Sequence, residues 1–348
     1  MIADPRGEGR AEAGVTEAEL AGLGVHRIPV PIPFPQAGGP VNVYVIEERD
    51  GGILLFDSGL GSPEGHAALE AGFARIGRRF DEVTRIVLSH GHVDHYGAAR
   101  FVQERHGGSI PVFAHPADVS KVAEAGWRWR DRAPLYAAHL ARLGVPAETL
   151  AAVATEGERG FGLARRIAEV RPLEPGTILE TRHLRLEVLH MPGHTPGLLC
   201  LHDRERRLFF SGDHLLEKVS PNPLIELGPD GRDGHFRPLL AYVESVGRMR
   251  ALDLDLVLPG HGPPFSGHRA IIDALLGFYE RRQARIREVL RDGPRTAYEI
   301  SRALFPSARP GDAFLTISET VANLELLEAR GDVVREEQGG LRRHRLAG

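Results

Sequence analysis

The chain has one cysteine, Cys200, and two lysines, Lys121 and Lys218, in 348 residues. A lone cysteine excludes an internal disulfide and leaves a reducing compartment open. It sits in Leu198-Leu199-Cys200-Leu201, a strand-like run where the expected role is that of a small buried hydrophobe. The scarcity of lysine beside abundant arginine is assigned to genomic base composition. No apolar run reaches the ~18 residues needed for a membrane-spanning helix. Residues 1–24 are acidic and rich in Gly and Ala, without the apolar centre of a signal peptide, so a flexible N-terminus and a cytoplasmic protein are expected. A formal net charge of −4 gives no electrostatic case for a membrane or for nucleic acid as a general partner. No Gly-x-Ser-x-Gly elbow is present to supply a serine nucleophile.

What is present is a concentration of metal-capable side chains. In Ser89-His90-Gly91-His92-Val93-Asp94-His95, four of them follow the strand-like Ile86-Val87-Leu88. In extended backbone, residues two apart point the same way, so His90 and His92 can address one ion. Asp94 and His95 fall where the chain turns and can face a second ion beside it. Imidazole with carboxylate suits zinc, iron or manganese over calcium or magnesium. The plainer alternative is a polar loop with Asp94 as a helix N-cap, but downstream segments weigh against it. Met191-Pro192-Gly193-His194-Thr195-Pro196-Gly197, Phe210-Ser211-Gly212-Asp213-His214 and Leu258-Pro259-Gly260-His261-Gly262 each place one ligand-type residue on a Gly-containing turn after an apolar run. Rigid strands aiming short turns at one point are how a metal site is built.

In this order and spacing, His-x-His-x-Asp-His, Gly-His, Gly-Asp and Pro-Gly-His resemble the metallo-β-lactamase superfamily of dinuclear hydrolases, over about residues 25–268. By matching position, the resemblance implies that His90, His92 and His194 hold a first metal. It likewise implies Asp94, His95 and His261 around a second, with Asp213 bridging. Asp57, in Leu54-Leu55-Phe56-Asp57-Ser58-Gly59, matches the aspartate that supports the site from behind. The implied fold is α/β, a four-layer αββα sandwich with two divalent ions at one edge, zinc expected and iron or manganese also compatible.

Apolar runs at 25–30, 41–47, 52–56, 83–88 and 111–114 read as strands, and 63–79 and 95–106 as helices. Residues 116–171 read as a helical insertion, and the Pro/Gly-rich stretch 215–238 as a long loop over the site. From about 269 the pattern is helix, helix, helix, hairpin, the layout of a small winged-helix-like domain. Its 14 Arg stand against 12 Asp and Glu, a near balance that favours a structural or homodimer-forming role over a nucleic-acid surface.

Two adjacent ions can make a hydroxide from water near neutral pH and stabilise a developing oxyanion. Asp94 is a candidate catalytic base as well as a ligand. His214 beside the bridge, His115 after a strand and His235 in the loop are candidate second-sphere or substrate contacts. The Pro-Gly-His-Thr-Pro-Gly and Leu-Pro-Gly-His-Gly-Pro turns resemble the glyoxalase II and acyl-thioester branch, whereas the tail departs from a glutathione-binding helical domain. The expectation is hydrolysis of a small thioester, ester or lactone. The rival enzyme is a phosphodiesterase or endoribonuclease of the β-lactamase-like group, and the non-enzyme reading is a DNA-binding regulator with a metal sensor site.

Overall fold

A computed structural model describes residues 15–33, 38–167, 169–228, 231–232 and 236–348. After helix α1 (Glu17–Gly22), the first sheet runs in chain order through β1 (Val25–Val30), β2 (Val41–Glu47), β3 (Ile53–Phe56), β4 (Val83–Val87), β5 (Val112–Ala114) and β6 (Val170–Pro172). The first three strands are antiparallel and the last four parallel. Parallel neighbours need crossovers. These are α2 (Pro63–Arg75), then α3 (Val93–Tyr96) with α4 (Ala99–His106), then α5 (Pro116–Ala123), α6 (Ala125–Arg142) and α7 (Ala147–Phe161). The second sheet, ordered β11-β10-β9-β8-β7, comprises β7 (Ile178–Glu180), β8 (Arg185–His190), β9 (Leu199–Asp203), β10 (Leu208–Gly212) and β11 (Leu256–Pro259). Helix α8 (Pro238–Ala251) crosses between the parallel β10 and β11. The chain ends in α9 (His268–Leu290), β12 (Arg295–Thr296), α10 (Ala297–Leu304), α11 (Ala313–Ala329), β13 (Val333–Gln338) and β14 (Leu341–Leu346), with a small sheet ordered β12-β14-β13.

Strand alternation assigns the layers. Leu54 and Phe56 face the space between the two large sheets, where they meet Leu199, Leu201, Phe210 and Leu258. Ile53 and Leu55 point the other way, to Leu69, Phe73 and Val102 on α2 and α4. The Phe210 ring stands edge-on to Tyr44 and Phe56 at 5.3 and 5.7 Å, a favoured aromatic geometry. Phe209, Val257 and Cys200 turn outward to α8 and α9, so Cys200 is a buried core residue. The result is the four-layer αββα sandwich.

That outer cluster also contains Ala322 and Leu326 of α11, packed with Leu215, Leu239 and Tyr242. The segment after 268 therefore shares its apolar core with the sandwich. Helix α11 has no fully exposed side: Ile317, Ser318, Glu319 and Thr320 are all buried, and the stripe of Phe314, Val321, Glu325 and Glu328 is half-buried.

Several expectations need correction. Residues 15–24 are not a flexible tail: Thr16 and Glu19 form a capping box for α1, and Leu20 is buried in the inter-sheet core. Residues 1–14 lie outside the described residues. The insertion is helical only as far as α7, because β6 adds a parallel strand beside β5. The helix expected over 95–106 is broken at 97–98, leaving α3 as a single turn that carries Asp94 and His95. No helix among the described residues is long and apolar enough to cross a membrane.

Candidate metal centre

The C-terminal ends of β3, β4, β10 and β11 and the β8–β9 turn converge on one edge of the sandwich. Two backbone contacts draw the sheets together there. Leu199 N–H donates to the Ser89 carbonyl at 2.7 Å, and Asn42 N–H of β2 donates to the Gly260 carbonyl at 2.7 Å. Gly212 is left-handed (φ 49°), and a Cβ on it would lie 2.7 Å from the Ser89 Cβ. Only glycine allows the two turns to approach this closely.

All seven residues expected as ligands meet at this edge. His90, His92 and His194 form one group, Asp94, His95 and His261 a second, and Asp213 joins His90 and His95 in a third. Within each group the donor atoms lie within 4.8 Å of one another. Asp213 stands between the sets: its Oδ2 is 3.6 Å from His194 Nε2 and 3.5 Å from His261 Nε2, and its Oδ1 is 3.5 Å from His95 Nε2. Asp94 Oδ2 faces His261 Nε2 at 3.4 Å.

The hydrogen bonds behind the imidazoles set their tautomers. His95 Nδ1 lies 2.8 Å from Asp57 Oδ2. The Ser89 hydroxyl gives its proton to the same carboxylate oxygen at 2.8 Å, so at 2.9 Å it accepts from His90 Nδ1. His194 Nδ1 donates to the Asn222 carbonyl at 2.9 Å and His261 Nδ1 to the Gly39 carbonyl at 3.2 Å. In all four rings Nδ1 carries a proton, so Nε2 is the atom left to bind a metal when the ring is neutral. The Nε2 atoms of His90, His95 and His261, and Asp213 Oδ1, are buried without a hydrogen-bond partner among the described residues. Buried polar atoms of this kind are costly unless something satisfies them. Divalent cations would satisfy all four, and the nitrogen–carboxylate donor set fits such ions.

Electrostatics divide the cluster. Burial holds the pKa of His90, His92 and His194 below the ordinary imidazole range, leaving them neutral as ligands must be. Burial acts on His95 and His261 in the same sense, but carboxylates outweigh it. Asp213, Asp57 and Asp94 hold His95 well above its usual value, and Asp213 with Asp94 raises His261 to about 10. Burial would raise Asp94, yet His95 and His261 bring it down to about 2.

The other candidates divide. Asp57 is part of the site: its carboxylate accepts from Ser89 N–H at 2.7 Å, and it adopts a left-handed backbone (φ 64°), a conformation aspartate tolerates better than most residues. His214 is buried next to Asp213, with its ring 5.2 Å from that of Tyr242 and burial lowering its pKa to about 3. It is neutral and buried beside Asp213, behind the bridging position. His115 is not gathered in: its ring stacks on His190 at 4.0 Å, and Nδ1 accepts from Ala117 N–H to cap α5. His235 lies outside the described residues.

Three supporting groups escaped sequence reasoning. Buried Asp118 on α5 accepts from Gly91 N–H at 2.9 Å, holding the loop between His90 and His92; burial raises its pKa to about 6. Beside it Lys121 pairs at 3.2 Å with Glu226 of the loop after β10. Asn42 Nδ2 donates to the Pro259 and Gly262 carbonyls at 2.8 and 2.7 Å, fixing the turn of His261. A polar residue inside the apolar run of β2 was a signal for Asn42. An aspartate in a helix's first turn is too ordinary to flag Asp118.

The family model for the Metallo-beta-lactamase superfamily matches residues 37–261. A relative from Bacillus subtilis (strain 168), named "Probable metallo-hydrolase YqjP", is 29% identical over 315 residues, spanning 90% of this chain and 95% of the relative. The crystal structure of the metallo-beta-lactamase family protein TTHA1429 from Thermus thermophilus superposes with a TM-score of 0.78 at 30% identity, covering 93% of this chain and 98% of that one. A shorter stretch of 111 residues is 34% identical to the human acyl-coenzyme A thioesterase MBLAC2, covering 30% of this chain and 36% of that protein.

Proposed function

Because the chain belongs to the metallo-beta-lactamase superfamily and is a metallo-hydrolase of that group, we propose that it uses two divalent cations, zinc by preference, to hydrolyse a small acyl substrate such as a thioester, ester or lactone. The observation that carries this reading is the Asp213 carboxylate, placed within 3.6 Å of ring nitrogens from both histidine sets. Cations held by the two sets supply Lewis acidity and lower the pKa of water toward neutrality. The protein's own part is to aim Nε2 of His90, His95, His194 and His261 inward, each with a proton on Nδ1 held from behind, and to offset cationic charge with Asp94 and Asp213. The acyl preference draws on the partial match to a thioesterase.

Selectivity must come from what walls the site, since the ligand set serves many chemistries. Helix α5 and the loop after β10 both reach the ligand loops, through Asp118–Gly91 and His194–Asn222. A regulatory reading, in which the C-terminal segment is a winged-helix-like DNA-binding module, is disfavoured by the burial of α11. A recognition helix must expose a face to enter a groove.

The test is metal analysis with a substrate panel: a thioester, a lactone, a nitrocefin-type lactam and a bis-aryl phosphodiester. Two ions per chain are expected, together with acyl turnover that a chelator abolishes and added zinc restores, and that His92→Ala eliminates. Fewer than one ion after reconstitution, or a phosphodiester turned over faster than every acyl substrate, overturns the reading.

A further inference from the structure

The loop after Asp213 is held from the C-terminal segment by three hydrogen bonds around one point. Tyr279 of α9 donates its hydroxyl proton to the Pro221 carbonyl at 3.2 Å. Asn222 Nδ2 donates to the Leu315 carbonyl of α11 at 3.3 Å. Ser318 Oγ, also on α11, accepts from Ile225 N–H at 3.2 Å. Between these clamps, the Asn222 carbonyl is the group that receives His194 Nδ1–H. A carbonyl can only accept, so this contact alone selects the tautomer that leaves His194 Nε2 free to point at His92 Nδ1, 2.9 Å away.

Helix α11 grips the loop with a buried side chain: Ser318 is 1% exposed. The ion pair of Arg282 with Glu319 at 2.9 Å ties α11 back to α9. The polar groups that a DNA-reading module would turn outward are here turned in, toward the loop that carries Asn222.

We propose that α9 and α11 form a positioning brace for the metal ligand His194, acting through Tyr279, Asn222 and Ser318. The ion held by His90, His92 and His194 then depends on the C-terminal segment, while the ion held by Asp94, His95 and His261 does not. This rests on the metal-centre reading above. Partners behind a ligating histidine typically change metal affinity by about 10- to 100-fold when lost.

The experiment is competitive zinc binding against a chromophoric chelator, with full-length protein and two resolved binding steps. It compares wild type, Tyr279→Phe, Ser318→Ala, Asn222→Ala and the Tyr279→Phe/Ser318→Ala double variant. Cobalt absorption reports the geometry of each site. Thr296→Ala serves as a control: it removes the capping box of α10 and so loosens the same segment without touching the loop. One step should weaken by about ten-fold or more in the brace variants, with the other step and the control unchanged. Wild-type affinities in all brace variants overturn the brace and leave the hydrolase reading standing. So does a parallel loss of both steps that Thr296→Ala reproduces, because the segment would then only stabilise the fold. A wild-type protein that binds no zinc overturns the metal-centre reading, and the brace with it.

Discussion

At the scale of single residues, Asp57 has the widest reach for its size. One carboxylate orients His95 directly and His90 through the Ser89 hydroxyl, so a ligand from each metal set takes its tautomer from the same group. In Asp57→Asn the side chain is nearly isosteric and asparagine also tolerates the left-handed backbone. Its Oδ1 can still receive Ser89 N–H, but the NH2 group then faces His95 Nδ1 and drives the imidazole proton to Nε2, where the lone pair is needed. Zinc affinity is expected to fall by about 10- to 100-fold in a competition assay. Retained wild-type affinity would show that the ring is oriented by something else.

At the scale of elements, the turns are more exacting than the strands they cap. Gly260 shows this: a Cβ there would lie 2.3 Å from Asp213 Oδ1 and 2.9 Å from His95 Cε1. Overpacking usually costs about 1–3 kcal/mol, which a sandwich of this size can absorb, but the displaced carboxylate is the one between the two sets. Gly260→Ala is therefore expected to fold, by circular dichroism, while binding fewer than two zinc ions per chain by elemental analysis. Two full equivalents would mean that the turn can shift without moving Asp213.

The turns were also the most legible part of the sequence. Strand, glycine and ligand recur within a few residues of each other, and His90, His194, Asp213 and His261 lie where that pattern puts them. The core strands were legible too, because their apolar runs are continuous. Short edge strands were not: β6, β7 and β12 have three, three and two residues, too few for a period to show, and they exist because a neighbouring strand offers unpaired backbone groups. Helix α1 is not legible although Thr16 and Glu19 spell a capping box, since six residues make no helix without the core that receives Leu20. Asp118 and Asn222 could not be read at all. Their roles are created by backbone groups distant in sequence, Gly91 N–H and His194 Nδ1–H, and no local pattern encodes such a meeting.

At the scale of the whole molecule, the boundary near 268 is a change of texture and not a seam. Ile271, Ile272, Leu275 and Tyr279 of α9 pack with Leu239, Tyr242, Val246 and Met249 of α8 in one cluster. A chain ending at Gly267 would expose that contiguous apolar face, and large patches of this kind drive association. Such a truncation is expected to be insoluble or aggregated, and full-length protein to melt in one cooperative step. A truncated chain that stays monomeric by sedimentation and melts like the intact protein would make the C-terminal segment a separable domain.

The shared core also imposes an order of events on biosynthesis. Every ligand, from His90 to His261, is synthesised before the helices that cover α8. The remaining chain to the end of α11 at Ala329 takes roughly 3 to 14 s at ~5–20 residues per second. During that interval the nascent sandwich carries its full set of donors on an uncovered apolar layer, a surface suited to chaperone capture. Completion of the His194 site, braced by α9 and α11, is thus expected to follow the emergence of these last helices.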